Sequence, residues 1–224
     1  MEYEFVKVEK RDHISIVTIN RPEVYNAVHP PLSLELDQVW NEFIEDSEQW
    51  VAVLTGAGDK AFSAGNDLKY SAQPGKYKVQ QPKSGFAGLT NRFDRTKPII
   101  AAVNGFAMGG GMETALSCDI ILASENAKFA LPEVKVGFFA AAGGVQRLSR
   151  QIGKKAALEM ILTGRSVDAK EALKLGIVND VFSQSELLDK AIEKAKVIAG
   201  NCPSSIKYSL EALNHMDQLE EMSS

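Results

Sequence analysis

Three short and almost wholly apolar segments constrain the fold of this chain more than any other feature. They read WVAVLTG from residue 50, PIIAAVNG from residue 98 and CDIILAS from residue 118. Their length and their β-branched residues are typical of strands buried on both faces, as in parallel sheets. Parallel strands need crossover connections, and segments long enough to form helices separate these three. The sequence therefore predicts an α/β fold with a largely parallel sheet.

Helices predominate in the last third of the chain. The clearest prediction is the segment SQSELLDKAIEKAKVIAG, which starts at residue 183 and repeats apolar residues at helical spacing. Ser183 and Glu186 are spaced as a capping box at its start. We therefore expect a core over residues 1–145 and a helical C-terminal region over residues 146–224.

Composition and charge argue against several classes of protein. Of the 224 residues, 45% are hydrophobic, which is enough for a core without a metal or a disulfide. The formal net charge of −4 lacks the basic surplus of nucleic-acid binders. The charged N-terminus is not a signal peptide, and no apolar run reaches membrane-spanning length. The two cysteines, Cys118 and Cys202, are not spaced as metal ligands and favour a reducing compartment. We expect a cytoplasmic protein that holds no metal and binds neither nucleic acid nor membrane.

Three consecutive glycines, residues 109–111, are the first candidate for a functional feature. If a helix opens near Gly110 after a buried strand, its first amide N–H groups have no partner inside the helix and favour negative charge. The segment SAGND from residue 63 also follows a buried strand and is similarly bare. Two such loops could give two N–H donors to one oxygen, as in an oxyanion hole. The competing interpretation is that both segments are close-packed turns, because glycine also serves packing.

Two glutamates are the candidate acid and base. Glu113 falls in the first turn of the predicted helix, where a carboxylate can also serve stability alone. Glu133 lies inside the apolar stretch FALPEVKVGFFAAAGG, although Lys135 could be its neighbour at the surface. Burial raises the pKa of a carboxyl group, and a second carboxylate nearby raises one of the pair further. Two glutamates close to a developing oxyanion could therefore exchange protons with a substrate.

Other features point less clearly to function. GAGDKA from residue 56 matches a loose dinucleotide-binding pattern, but its continuation favours a tight turn. Ser63 lacks the first glycine of a nucleophile elbow. Residues 70–86, rich in Lys, Gln, Gly and Pro, predict a mobile loop. None of the histidines lies in a place suited to a catalytic base: His13, His29 and His215.

These segments together resemble the crotonase superfamily of enoyl-CoA hydratases and isomerases, over nearly the whole chain. GFAGLT from residue 85 is a weaker likeness to the carnitinyl-CoA dehydratase branch. The segments that carry the resemblance, in order, are INRPEVYNAV, AFSAGNDLK, KPIIAAVNGFAMGGGMETALSCDIILAS, FALPEVKVGFFAAAGGVQRL and LTGRSVDAKEALKLGIVNDV.

The resemblance implies a spiral of ββα units with a helical C-terminal region that builds homotrimers, often paired as hexamers. It implies an acyl-CoA thioester substrate, as in fatty acid metabolism, and no cofactor, since coenzyme A is part of the substrate. Members of the superfamily usually run some tens of residues further, and the sequence does not distinguish a natural terminus from a truncated one.

The resemblance also implies roles for particular residues. Glu113 and Glu133 fall on the two catalytic carboxylate positions of hydratases. The backbone N–H groups of Asn66 and Gly110 fall on the oxyanion hole. The residues expected to bind substrate or coenzyme A are Ala64, Asn66, Asp67, Leu68, Lys69 and Gly110.

The mechanism implied is addition of water across the 2,3 double bond of a 2-enoyl-CoA, reversibly giving a 3-hydroxyacyl-CoA. Three alternatives stay open. An enoyl-CoA isomerase would need only one carboxylate to shuttle a proton. A carnitinyl-CoA dehydratase would need a pocket that accepts a cation. A non-catalytic RNA-binding member would conflict with the acidic pI of about 5.5 and with the paired glutamates.

Overall fold

The computed structural model describes residues 3–73 and 81–222, the last eight of them by backbone alone. The described strands are β1 (Val6–Arg11), β2 (Ile14–Ile19), β3 (Val51–Gly56), β4 (Ala61–Ser63), β5 (Ile99–Val103), β6 (Phe106–Met108), β7 (Ile120–Ser124), β8 (Lys128–Ala130), β9 (Val167–Asp168) and β10 (Asp180–Phe182). The described α-helices are α1 (Pro30–Glu45), α2 (Leu68–Ser71), α3 (Gly110–Leu116), α4 (Gly144–Ile152), α5 (Lys154–Thr163), α6 (Ala169–Leu175), α7 (Leu187–Ala199) and α8 (Pro203–Met222).

The strands form two sheets, and most of the pairing is parallel. The larger sheet has the order β1-β2-β3-β5-β7-β10 and is parallel apart from the antiparallel hairpin of β1 and β2. The smaller sheet has the order β4-β6-β8-β9, with β9 antiparallel to β8. The three apolar segments are β3, β5 and β7 in the middle of the larger sheet, so the prediction of an α/β fold is confirmed.

Burial on both faces explains the continuous apolar sequence of the central strands. In β3, Ala52 and Leu54 point into the main core, where they pack with Leu36 and Trp40 of α1. Val51 and Val53 point to the other face of the sheet, which α7 covers. The α7 residues in that second cluster are Leu187, Ala191, Ile192 and Ala195.

The C-terminal part of the chain contains more than helices. Helices α4 to α8 lie beyond residue 143, but β10 adds a parallel strand to the larger sheet beside β7. The boundary at residue 145 stays a prediction. The capping box predicted at Ser183 and Glu186 is wrong in detail. The hydroxyl of Ser183 contacts the carboxylate of Glu186 instead of the backbone, and α7 begins only at Leu187.

The segment predicted as a mobile loop, residues 70–86, is described only in part. Its residues 74–80 lie outside the described residues, and it starts within α2. Its last residue, Phe86, begins a short 3₁₀ turn that ends at Gly88.

Candidate active site

The predicted site residues follow three neighbouring strands of the smaller sheet. Strands β4, β6 and β8 are parallel, so their carboxyl ends meet at one edge. Asn66 follows β4, Gly110 follows β6 and Glu133 follows β8. The topology therefore brings together residues that are far apart in the sequence.

The amide of Asn66 is left free by the hydrogen bonds of its neighbours. The amide of Val28 donates to the carbonyl of Gly65 at 2.7 Å, and the amide of Asp67 donates to the carbonyl of Val28 at 2.9 Å. In this parallel bridge the N–H of Asn66 itself points away from Val28. Among the described residues it has no acceptor. A donor is thus available to a ligand.

Gly110 is the first residue of α3, and its amide has no partner within the helix. The backbone of Gly65 lies directly beside it, because a Cβ built on Gly65 would stand 2.9 Å from the nitrogen of Gly110. The free amides of Asn66 and Gly110 therefore belong to backbone segments that touch. Whether they form an oxyanion hole stays a prediction that this contact supports.

The three glycines have different reasons to be glycine. Gly109 turns the chain into α3 at φ 52° and ψ −125°, which side chains rarely adopt. Gly111 packs against β4, since a Cβ there would lie 2.1 Å from the carbonyl oxygen of Ser63. Gly110 lies under the ring of Phe86, because a Cβ built on Gly110 would stand 2.6 Å from Cε1 of that ring. The turn explains Gly109, and close packing explains Gly111 and the missing side chain of Gly110, as the competing interpretation expected. The amide of Gly110 nevertheless remains available to a ligand.

Glu113 is a buried carboxyl group held by backbone amides. It is 4% exposed, and its Oε1 accepts a hydrogen bond from the amide of Gly144 at 2.8 Å. The amide of Ala142 also faces the carboxylate. Burial raises the pKa of Glu113 to about 7; the Gly144 hydrogen bond opposes that rise, and the charge of Glu133 adds to it. A carboxyl group with such a pKa exchanges protons near neutral pH.

Glu133 begins the 3₁₀ turn Glu133–Val136 and is the second carboxyl group of the site. Its Oε1 lies against Gly109, since a Cβ built on Gly109 would stand 3.0 Å from this oxygen. Its Oε2 is buried without a hydrogen-bond partner. Burial raises the pKa of Glu133 as well. A buried carboxyl oxygen without a partner is costly in a finished fold, which favours a role toward a ligand.

The segment expected to bind coenzyme A lies at the surface beside this edge. Ala64, Leu68 and Lys69 are exposed. Asp67 fixes the segment, because its side chain caps α2 by accepting from the amide of Tyr70 at 3.0 Å. It also pairs with Arg21 at 3.0 Å. The segment is therefore anchored at Asp67 and open to solvent on either side.

The sequence did not single out the backbone that holds Glu113 or the side chains around it. Phe86 covers Gly110, and Arg147 contacts the loop that carries Ala142 and Gly144. The only signal for this loop was the run of small residues AAAGG from residue 140. Small residues allow a backbone to approach a carboxylate closely, but they do not say which one.

The structure argues against the competing motifs. The hydroxyl of Ser63 is buried, donates to the carbonyl of Asn26 at 2.9 Å and accepts from the amide of Gly65 at 3.1 Å. It has a structural role and does not act as a nucleophile. The GAGDKA segment turns from β3 into β4 instead of opening a helix. His215 lies where side chains are not described.

The described residues contain neither a cluster of metal ligands nor a membrane-spanning helix. No three His, Cys, Asp or Glu side chains are grouped as metal ligands within residues 3–73 and 81–214, where side chains are described. None of the helices in those ranges combines the length and apolar character needed to cross a bilayer.

The chain is similar to known proteins over most of its length. The family model described as enoyl-CoA hydratase/isomerase matches residues 9–223. A short-chain-enoyl-CoA hydratase of Clostridium acetobutylicum is 44% identical over 217 residues, which cover 96% of this chain and 82% of the relative. A carnitinyl-CoA dehydratase of Citrobacter koseri is 46% identical over 190 residues, covering 85% of this chain and 72% of the relative. The crystal structure of an enoyl-CoA hydratase from Mycobacterium tuberculosis superposes with a TM-score of 0.88 at 37% identity, covering 96% of this chain and 83% of that one.

Proposed function

This chain belongs to the enoyl-CoA hydratase/isomerase family, and from that premise we propose that it is an enoyl-CoA hydratase. It adds water across the 2,3 double bond of a 2-enoyl-CoA and catalyses the reverse dehydration of a 3-hydroxyacyl-CoA. The observation that carries the proposal is the juxtaposition of two carboxyl groups, buried Glu113 and half-buried Glu133, with the free amide of Gly110.

The free amides polarise the substrate. The thioester carbonyl oxygen accepts hydrogen bonds from the N–H groups of Asn66 and Gly110, which withdraws electrons from the conjugated double bond and makes Cβ electrophilic. Charge gathers on this oxygen as the enolate forms, so the two donors bind the transition state more tightly than the substrate. Losing one such donor typically costs about 10²–10³ in kcat.

The two glutamates transfer the protons. The oxygen of a water molecule bonds to Cβ while Glu113, as carboxylate, accepts one of its protons. The electron pair of the double bond moves to the thioester oxygen, and when the enolate collapses Glu133, as carboxylic acid, gives its proton to Cα. The pair therefore starts with one proton on Glu133 and ends with one on Glu113, and exchange with water resets it. Raised pKa values at both residues suit a pair that shares one proton.

The exposed segment beside the site would bind the coenzyme A part of the substrate. Ala64, Leu68 and Lys69 supply open surface, Asp67 fixes the segment, and Asn66 and Gly110 mark its inner end. No separate cofactor is needed, because coenzyme A enters as part of the thioester.

The protein would act as a homotrimer or hexamer in the cytoplasm. Exposed apolar side chains support association, since burying them against a second copy removes them from water. They lie at the end of the 3₁₀ turn Glu133–Val136, in the segment just after it and on α5: Val136, Phe138, Phe139, Leu158 and Leu162. Sedimentation velocity on the purified chain measures the assembly, and a monomer at micromolar concentration would contradict this part of the proposal.

Hydration of crotonobetainyl-CoA is the second candidate. The Citrobacter koseri relative and the segment GFAGLT, which forms the 3₁₀ turn over Gly110, favour it. Both candidates use the same carboxyl pair and differ in the acyl group.

The proposal is tested by following the absorbance of the conjugated enoyl thioester, which falls when crotonyl-CoA, a longer 2-enoyl-CoA or crotonobetainyl-CoA is hydrated. With a 3-enoyl-CoA the same absorbance rises if the enzyme is an isomerase. Glu113→Gln and Glu133→Gln should each lower kcat for hydration by about 10²–10⁴ with little change in KM. The exposed Glu125 gives a control, Glu125→Gln, which should match the wild type. No hydration of any substrate, or wild-type turnover in either site variant, would overturn the proposal.

A further inference from the structure

Arg147 lies on α4 and reaches back over the loop that precedes the helix. Its guanidinium covers Gly143, where a Cβ would stand 2.2 Å from Nη1. Nη1 donates to the carbonyl of Ala142 at 3.1 Å, and Nη2 donates to the carbonyl of Thr90 at 2.6 Å. A single side chain therefore joins two segments that are distant in sequence.

One of these segments is the backbone that binds Glu113. The amides of Ala142 and Gly144 point to the carboxylate of Glu113, while the carbonyl of Ala142 points to Arg147. The loop thus has its donors on the side of the carboxylate and its acceptor on the side of the guanidinium. Arg147 fixes the orientation in which these amides meet Glu113.

The other segment forms the wall over Gly110. The amide of Phe86 donates to the hydroxyl of Thr90 at 2.9 Å, and the amide of Thr90 donates back to the carbonyl of Phe86 at 3.3 Å. The ring of Phe86 lies against Gly110. By holding Thr90, Arg147 connects the wall at Gly110 to the loop at Glu113.

We propose that Arg147 is a positioning residue for hydration, which holds the loop that binds the carboxylate of Glu113 in a fixed place relative to the wall over Gly110, by bridging Ala142 to Thr90. The inference rests on the proposed function, because that placement matters only if Glu113 and Gly110 act on one thioester. The rate of an enzyme depends strongly on the positions of its reacting groups, and a displacement of about 1 Å can lower the rate about 10²-fold.

The charge of Arg147 adds a second effect. Within the described chain its guanidinium contacts carbonyl oxygens and no carboxylate, and its field lowers the pKa of Glu113. The charged groups near Glu113 are Glu133 on the 3₁₀ turn and Arg147 on α4. Those near Arg147 are Arg95, Arg150, Glu113 and the thiol of Cys118.

The test separates the bridge from the charge with two variants. Arg147→Gln removes both, so we expect kcat for crotonyl-CoA hydration to fall about 10- to 100-fold, KM to stay within about twofold, and the pKa of Glu113 to rise. Arg147→Lys keeps a cation but cannot donate in two fixed directions, so we expect a similar fall in kcat with the pKa of Glu113 near that of the wild type. Arg150→Gln, which removes an exposed cation from the same helix, is the matched control and should change neither quantity.

The pKa of Glu113 is read directly, by NMR titration of protein labelled at the glutamate carboxyl carbons, with Glu113→Gln used for assignment. Circular dichroism and thermal unfolding show whether each variant folds; if Arg147→Gln does not, Arg147→Lys still tests the bridge. Wild-type kcat in Arg147→Lys, or in folded Arg147→Gln, would overturn the inference. Absence of hydration by the wild type would instead overturn the proposed function, while the titration still decides whether Arg147 controls Glu113.

Discussion

The carboxylate of Glu113 rests against the backbone of Gly144. The hydrogen bond between them is 2.8 Å long, and a Cβ at residue 144 would stand 2.9 Å from Cγ and from Oε1 of Glu113. The absence of a side chain at this position therefore allows the amide to reach the carboxylate. An added methyl group would displace the carboxylate or the loop.

We expect Gly144→Ala to lower kcat for hydration by about 10²-fold, the cost of displacing a reacting group by about 1 Å. Gly144 is buried, and an added Cβ would also lie 2.9 Å from Cβ of Ala140, so overpacking should lower the free energy of unfolding by about 1–3 kcal/mol. Steady-state kinetics and thermal unfolding measure the two effects. Gly200→Ala is the control, because Gly200 has helical angles, φ −74° and ψ −10°, and an added Cβ meets only ordinary contacts.

Gly65 should be as necessary for hydration as Gly144, because it lies beside the free amide of Gly110. A Cβ there would lie 2.5 Å from the carbonyl oxygen of Met108 and 2.9 Å from the nitrogen of Gly110, at φ +85°. We expect Gly65→Ala to push apart the segments that carry the free amides and to lower kcat by about 10²–10³, the cost of a lost oxyanion donor.

Gly176→Ala is the control that distinguishes the effect of this close contact from the effect of backbone strain. Gly176 has a similar φ of +82° but nothing within 4 Å of an added Cβ. Both variants should lose about 1–2 kcal/mol of unfolding free energy from the left-handed backbone, and only Gly65→Ala should lose activity. Equal activity in the two variants would refute the role of this contact.

The sequence predicted the central strands and the positions of Glu113 and Gly110 because those signals are local. It missed β6, which follows β5 after only two residues, Asn104 and Gly105. Gly105 permits this change from one sheet to the other, since its Cβ would lie 2.3 Å from the carbonyl oxygen of Lys60. A close approach between residues so far apart leaves no periodicity in the sequence.

The same limit applies to the environment of Glu113. Its helix could be predicted from the glycines before it, but the amides that hold it come from residues 142 and 144, in another segment. Strands of two or three residues, such as β9 and β10, are also too short for an alternating pattern to identify. Contacts that depend on tertiary packing therefore had to come from the structure.

Asp67 should affect substrate binding more than turnover. Its carboxylate pairs with Arg21 and caps α2, and both side chains of the pair are largely buried. We expect Asp67→Ala to loosen the exposed segment and to raise KM for a 2-enoyl-CoA several-fold, with kcat nearly unchanged. Asp67→Asn keeps a capping oxygen and should fall between Asp67→Ala and the wild type. Asp59→Ala, at an exposed turn, is the control, and a fall in kcat without a change in KM would contradict the assignment.

Hydration should depend on pH near neutrality. Glu113 must be ionised to accept a proton from water, and burial raises its pKa to about 7. We therefore expect kcat/KM to rise as the pH passes through about 7 and to fall again where Glu133 loses the proton that it must donate. The profile is measured with crotonyl-CoA over the range in which the protein stays folded. A rate independent of pH across neutrality would show that Glu113 is not the base.

The same pKa links Glu113 to stability. The pKa of its carboxyl group is about 7 in the folded chain, against an ordinary value of 4.5, so between those values the folded state binds more protons than the unfolded state. Stability therefore falls as the pH rises through this window, by up to about 3 kcal/mol. Glutamine at this position has no proton to lose, so the advantage of Glu113→Gln over the wild type should be larger at about pH 8 than at about pH 4.5 by this amount. Urea unfolding of Glu113→Gln and of the wild type at the two pH values measures this change, with Glu125→Gln as an exposed control. If Glu113→Gln differs from the wild type by the same free energy of unfolding at both pH values, Glu113 ionises in the folded protein without a burial cost.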